Sequence, residues 1–260
     1  MSDSLQLRSV HLRVSNLSRS VAFYADQLGF RVLHKDTQRP ELATSVNAPP
    51  LLTLTEDRAA QPPPRDAAGL FHTALLLSTR SALGSWLRKS ADAGVNFDGF
   101  SDHGVSEAIY LSDPDGNGLE FYADRPRDEW PLHHGKLQMS TEPLALPDLL
   151  AAGASYREPP LTGARWGHLH LRVTSLDRSA EFYDSELGMV PMQDYGASAR
   201  FLAADGYHHH LGLNTWGGVR QPQPAGSLGL AEAVFARTGR ESEVVLRDPD
   251  HIAIRVTPGK

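Results

Sequence analysis

HLRVSNLSRSVAFYADQLGFRV, residues 11–32, returns 159 residues later as HLRVTSLDRSAEFYDSELGMVP, residues 170–191, with 11 of 22 positions identical. A match of that length marks an internal duplication. Each copy reads as a strand (residues 10–14 and 169–173), a short turn and an amphipathic helix. Ser18 and Asp177 are the expected helix N-caps. Val21, Tyr24 and Leu28 recur at helical spacing, and Gly29 and Gly188 are placed to end the two helices.

Each half holds a second, related unit. LFHTALLLS (70–78) reads as a strand, LGSWLRKSADAG (83–94) as a helix, and AIYLSDPDGNGLEFYAD (108–124) as two strands around a DPDG turn. GLAEAVFAR (229–237) and VVLRDPDHIAIRV (244–256) are the C-terminal counterparts. The two DPD turns lie only 135 residues apart, so the last unit has lost about 24 residues, roughly its helix and one strand. The expected plan is α+β: four tandem βαβββ units, the last truncated. Residues 1–125 form one half, 126–165 a Pro-, Gly- and Ala-rich linker, and 166–260 the other half.

Composition narrows the chemistry. The net charge is −6 with no Lys/Arg cluster, which argues against a nucleic-acid partner. No apolar run approaches a membrane span and no secretory signal is visible, so a cytoplasmic location is expected. Cysteine is absent, which excludes disulfides, thiol nucleophiles and Cys-ligated zinc. Any metal site must use the histidines and carboxylates. Glu120, between Leu119 and Phe121 in an apolar strand, is a carboxylate that needs a partner.

The repeated HLRV…L.RS..FY…LG pattern and the DPDGNGLEFY strand resemble the vicinal oxygen chelate superfamily of glyoxalases, fosfomycin-resistance proteins and extradiol ring-cleaving dioxygenases. The resemblance spans nearly the whole chain. It implies cup-shaped mixed sheets around one divalent metal, held by a first-strand His of one unit and a first-strand His and last-strand Glu of its partner. In this sequence those positions are His168, His72 and Glu120. The other half-site is expected to be empty, with Ser9 opposite His168, Ala231 replacing His72 and Arg255 replacing Glu120. Two histidines and a carboxylate form the facial set used by non-haem Fe(II) oxygenases, and Mn(II) accepts the same ligands.

Three further features resemble the extradiol dioxygenases. SDHGVSEAIYLSDPDGNGLEFY places His103 and then Tyr110 ahead of the metal Glu. GYHHHLGL falls where that family carries an acid–base histidine. ADRPRDEW follows the Glu strand as in catechol 2,3-dioxygenase-like proteins. The resemblance therefore implies a catechol-type aromatic diol and O2 as substrates. Alignment favours His209 as the acid–base residue, whereas strand parity turns His208 and His210 toward the cup. His209 is ranked ahead of His210, with His208 left as strand edge. His170, Trp216 and Arg125 are expected to border the substrate pocket. The alternatives are another metal enzyme on the same scaffold, of glyoxalase or thiol-transferase type, and a non-catalytic binder of an aromatic ligand. The sequence leaves open a monomer or a homo-oligomer.

Overall fold

The computed structural model describes residues 4–34 and 36–259. The first unit comprises β1 (Leu5–Val14), α1 (Leu17–Ala22, extended by a π-helical turn over Phe23–Gln27), β2 (Arg31–His34), β3 (Glu41–Ala43) and β4 (Leu52–Glu56). The second comprises β5 (Gly69–Leu76), α2 (Arg80–Asp92), β6 (Gly99–Asp102), β7 (Ser106–Ser112) and β8 (Gly118–Asp124). The segment read as a linker carries a short hairpin of β9 (Leu132–His133) and β10 (Lys136–Leu137), then β11 (Glu142–Pro143) and α3 (Leu146–Gly153). The third unit is β12 (Arg165–Arg172), α4 (Leu176–Leu187), β13 (Val190–Tyr195), β14 (Ala199–Ala203) and β15 (Leu211–Asn214). The fourth is β16 (Gly229–Arg237), β17 (Val244–Arg247) and β18 (Ala253–Pro258), without a helix, as the shortened spacing requires.

The strands form two curled mixed sheets, each drawing on both copies of the repeat. One runs β17-β18-β16-β1-β4-β3-β2, the other β11-β6-β7-β8-β5-β12-β15-β14-β13. The seams are equivalent antiparallel pairings, β1 with β16 and β5 with β12. Buried aromatic side chains tie the layers together. Trp86 of α2 stacks on Phe121 of β8 at 3.7 Å and donates from Nε1 to the Leu28 carbonyl, and Trp166 of β12 donates to the Leu51 carbonyl.

The helix caps differ from expectation. Asn16 and Ser175 cap α1 and α4, accepting from the backbone N–H groups of Arg19 and Arg178. The helices begin at Leu17 and Leu176, so Ser18 and Asp177 already sit in the first helical turn. Asp177 there complements the helix dipole instead of capping it. Gly188 does close α4, in the left-handed conformation at φ +67°.

The DPD turns explain why that motif persists in the truncated unit. Asp113 accepts from the Asp115 and Asn117 backbone and from the Tyr24 hydroxyl, while Asp115 accepts from Ser15 at the start of the first helix. Asp248 and Asp250 repeat this arrangement with Tyr183 and Thr174. The motif staples one unit to the helix start of its neighbour, a structural task.

Candidate metal centre

Glu120, His72 and His168 stand on the adjacent strands β8, β5 and β12. Ala74 of β5 is opposite Glu120 on one side and His168 on the other, so the three form a cross-strand row. The small Ala74 side chain leaves the two flanking residues room to lean together. His72, two residues along β5, emerges on the same face. His72 Nε2 lies 3.0 Å from Glu120 Oε2, His168 Nε2 lies 3.1 Å from the same oxygen, and the two Nε2 atoms are 3.3 Å apart. All three residues are buried.

These donors fit a divalent ion. Ligand atoms about 2.1 Å from one ion and at right angles to each other stand about 3.0 Å apart, the spacing found here. Protonation suits it as well. Burial alone would raise the Glu120 pKa, but His168 and His72 outweigh it and hold the carboxyl well below the usual range. Burial pushes His168 down, toward the neutral imidazole a metal needs.

Gly167 matters to this geometry. A Cβ there would fall 1.7 Å from the hydroxyl of buried Tyr122, whose ring packs against His168. Gly167→Ala is expected to destabilise the fold by about 3 kcal/mol, the upper end of an overpacked core. A urea midpoint equal to wild type would refute the close approach.

Above these three donors opens a cavity of about 300 Å³ lined by His103, Tyr110, His170, His209 and Trp216 among others. Tyr110 is paired across the ladder with Glu120. His103 Nδ1 donates to the Ser140 carbonyl, so in the neutral ring Nε2 accepts from the Tyr110 hydroxyl at 2.7 Å. Burial, reinforced by Glu120, keeps the Tyr110 phenol protonated. His170 lies opposite His72 and is held by the Asn214 amide at 3.0 Å. Gly212 beside it provides space, since a Cβ there would meet the His170 ring at 2.8 Å.

The histidine triplet is not a strand. Residues 206–210 form an irregular turn, and β15 begins at Leu211, so parity does not govern it. His209 lies against His168, ring centroids 4.1 Å apart, and faces the cavity. His208 is fully buried, contrary to the expected strand edge. Its Nε2 donates to Asp124 at 2.8 Å, and its Nδ1 meets His209 Nδ1 at 2.8 Å. His210 lies outside the cavity lining. Its Nδ1 accepts from the Ala204 N–H at 3.2 Å, and its ring packs on Tyr207. Arg125 is also outside the lining, held in ion pairs with Asp102 and Glu107 at 2.6 and 3.4 Å.

His210 supplies a pH test. Burial, with His208 and Arg165 nearby, pushes its pKa from 6.5 down to about 3. The fold favours the neutral ring, so this contribution is complete above pH 6.5 and declines as pH falls toward 3. At pH 5 the loss is about 2 kcal/mol. In His210→Asn the amide oxygen can accept from Ala204 without titrating. Its urea stability is expected to drop about 2 kcal/mol less than wild type between pH 7 and pH 5. Equal drops would sink this account.

Several lining residues went unread in the sequence. Phe71, Tyr195 and Phe201 form an aromatic wall, and Met139 and Ser140 come from the segment read as a linker. Only Phe71, adjoining the candidate ligand His72, carried a local signal.

The second half-site is corrected by the ladder. His72 and Glu120 flank the Ala74 register as Glu232 and Arg255 flank Val234, and Ser9 occupies the His168 position. Glu232, not Ala231, therefore matches His72. Arg255 binds it through both guanidinium arms at 3.0 and 2.9 Å, so an ion pair fills this half-site.

The family model described as Glyoxalase/Bleomycin resistance protein/Dioxygenase superfamily matches residues 6–121. A Bacillus subtilis (strain 168) relative, catechol-2,3-dioxygenase, is 42% identical over 84% of this chain and 78% of its own length. The chain belongs to the glyoxalase/bleomycin resistance protein/dioxygenase superfamily. Within this superfamily it is also similar to biphenyl-2,3-diol 1,2-dioxygenase 3 of Rhodococcus globerulus, at 27% identity over 64% of this chain and 92% of that one. Glyoxalase I of Zea mays shares the superfamily fold, with a TM-score of 0.59, 17% identity, and coverage of 98% of this chain and 93% of that one. A solved Bacillus subtilis structure aligns with a TM-score of 0.64 at 12% identity, covering 97% of this chain and 84% of that one. Among the described residues no helix is long and apolar enough to cross a membrane.

Proposed function

We propose that this protein is an extradiol dioxygenase that opens a catechol-type ring with O2, using Fe(II) held by His72, Glu120 and His168. The observation that carries the reading is the convergence of these three buried donors beneath an aromatic-lined cavity, in a chain 42% identical to a catechol-2,3-dioxygenase. A ferrous ion on this facial set supplies the coupling between the electron-rich diol and O2; Mn(II) is the other metal these ligands suit. The bond beside the diol breaks, and both oxygen atoms of O2 enter a muconic semialdehyde-type product.

The protein's own groups handle protons and position. Asp124 only accepts, so His208 carries its proton on Nε2, and in the neutral ring its Nδ1 accepts from His209 Nδ1–H. That fixes the His209 tautomer and leaves Nε2 as a lone pair directed to the cavity, ready to take a proton from the diol and return it later. Tyr110, whose phenolic proton is given to His103, accepts a hydrogen bond from a substrate hydroxyl. His170 and Trp216 flank the ring. A glyoxalase or thiol-transferase reaction is not favoured, because it gives this His209–His208–Asp124 arrangement no task. A cytoplasmic setting goes with the reading.

The expected result is that protein loaded anaerobically with Fe(II) turns catechol yellow and consumes one O2 per ring opened. Absence of oxygen uptake across a panel of catechols, with iron shown to be bound, would overturn the proposal.

A further inference from the structure

We infer that the cavity selects diols whose ring carries an uncharged, apolar substituent and rejects ring carboxylates. The inference rests on the dioxygenase reading for the orientation of the diol, toward His72, Glu120 and His168.

Size is the first argument. An apolar cavity of about 150 Å³ holds a bare benzene ring. The cavity here is about 300 Å³, leaving room beyond the ring. The chemistry of the walls is the second. Away from the ligands the surface is mostly apolar, built of Phe71, Phe201, Tyr195, Trp216, Val105 and Met139, and the serines and the threonine that also line it are uncharged. Phe71 touches Trp216 at 5.3 Å and His170 at 5.0 Å, and Phe201 lies 5.8 Å from His170, so the aromatic side is continuous.

The third argument is charge. Among the described residues no lysine or arginine lines the cavity, and its one carboxylate is Glu120. The histidines beyond the ligands are already hydrogen-bonded within the protein: His103 to Ser140 and Tyr110, His170 to Asn214, His209 to His208. The cations nearby are committed elsewhere. Arg125 and Arg80 pair with Asp102 and Glu107, and Arg127 lies over Trp130. Arg172 is tied to the Arg65 carbonyl, and both arginines line an adjoining surface depression that shares Phe71, His72, Tyr110 and Trp216 with the cavity, so neither is among the residues that line the cavity itself. A substituent carboxylate would thus leave water without a cationic partner, whereas an alkyl group would exchange water for aromatic contact.

The test has two arms. With Fe(II)-loaded enzyme, kcat/KM is measured for catechol, 4-ethylcatechol and 3,4-dihydroxybenzoate. The alkyl compound is expected to match or exceed catechol, and the acid to fall on the order of 100-fold below the alkyl compound. With metal-free protein, binding of 4-ethylphenol and 4-hydroxybenzoate is read by quenching of tryptophan fluorescence, with Trp216→Phe locating the signal. The phenol is expected to bind at least tenfold more tightly. A deficit of the acid below tenfold in either arm overturns the inference. If catechol itself is not cleaved with iron bound, the dioxygenase reading falls, and the binding arm still decides the selectivity.

Discussion

Glu120→Gln is expected to give a folded protein that has lost its metal. The carboxylate contributes the only anionic donor of the site and is 3% exposed, so no water-borne group replaces it. Affinity for Fe(II) should fall by more than the 10–100-fold typical of residues that merely support ligands. Metal analysis after desalting should find wild type loaded and the variant empty, with ring cleavage undetectable. Wild type should also melt higher with metal than without, by the equivalent of about 4 kcal/mol at a thousandfold excess over Kd, and the variant should show no such gain. His72→Ala and His168→Ala should behave likewise. His11→Ala should keep its metal, because His11 lies on β1 in the other sheet, hydrogen-bonded to Thr55. A fully loaded Glu120→Gln protein would refute the ligand set.

His209→Ala should separate metal binding from chemistry. Iron content should stay near wild type while kcat falls by on the order of 10²–10⁴, the usual contribution of a positioned acid–base group. Asp124→Asn leaves His209 in place but frees the His208 tautomer, so a smaller loss of kcat, about tenfold, is expected with KM for catechol little changed. His210→Asn, altered outside the cavity, should turn over normally. A His209→Ala enzyme as fast as wild type, or a His210→Asn enzyme as slow as His209→Ala, would show that the wrong imidazole had been assigned.

What could be read from the sequence was whatever is local and repeated. The duplicated strand–helix pattern, the helix-less last unit and the three residues that converge in the structure all follow from aligning the chain with itself and with its family. Ser18 and Asp177 misled because good capping residues also suit a first helical turn, and only the strand ends choose between Asn16 and Ser18. Parity failed at the histidine triplet because it presupposes a strand, and the backbone bends there until Leu211. The bond from His208 to Asp124 joins residues 84 apart, and no local pattern announces it. The same holds for Met139, whose backbone is clasped at both N–H and carbonyl by the Gln193 amide. Ala231 was misassigned by one residue, because the fourth unit has its own spacing and only the ladder fixes its register.

The Glu232–Arg255 pair has a consequence for how the molecule came to be asymmetric. At one seam the buried Glu120 carboxylate stands in a donor set that could hold an exchangeable ion, and at the other the half-buried Glu232 carboxylate is neutralised by a cation encoded in the chain. A symmetric ancestor with two identical halves would have carried two metal sites. Changing Glu120's counterpart to arginine silences one of them, with the new charge balanced from inside the protein. That sheet then no longer depends on metal supply, while its twin remains free to specialise. The reverse path is short. Ser9→His, Glu232→His and Arg255→Glu together would rebuild the lost ligand set in a scaffold that already has the register to hold it.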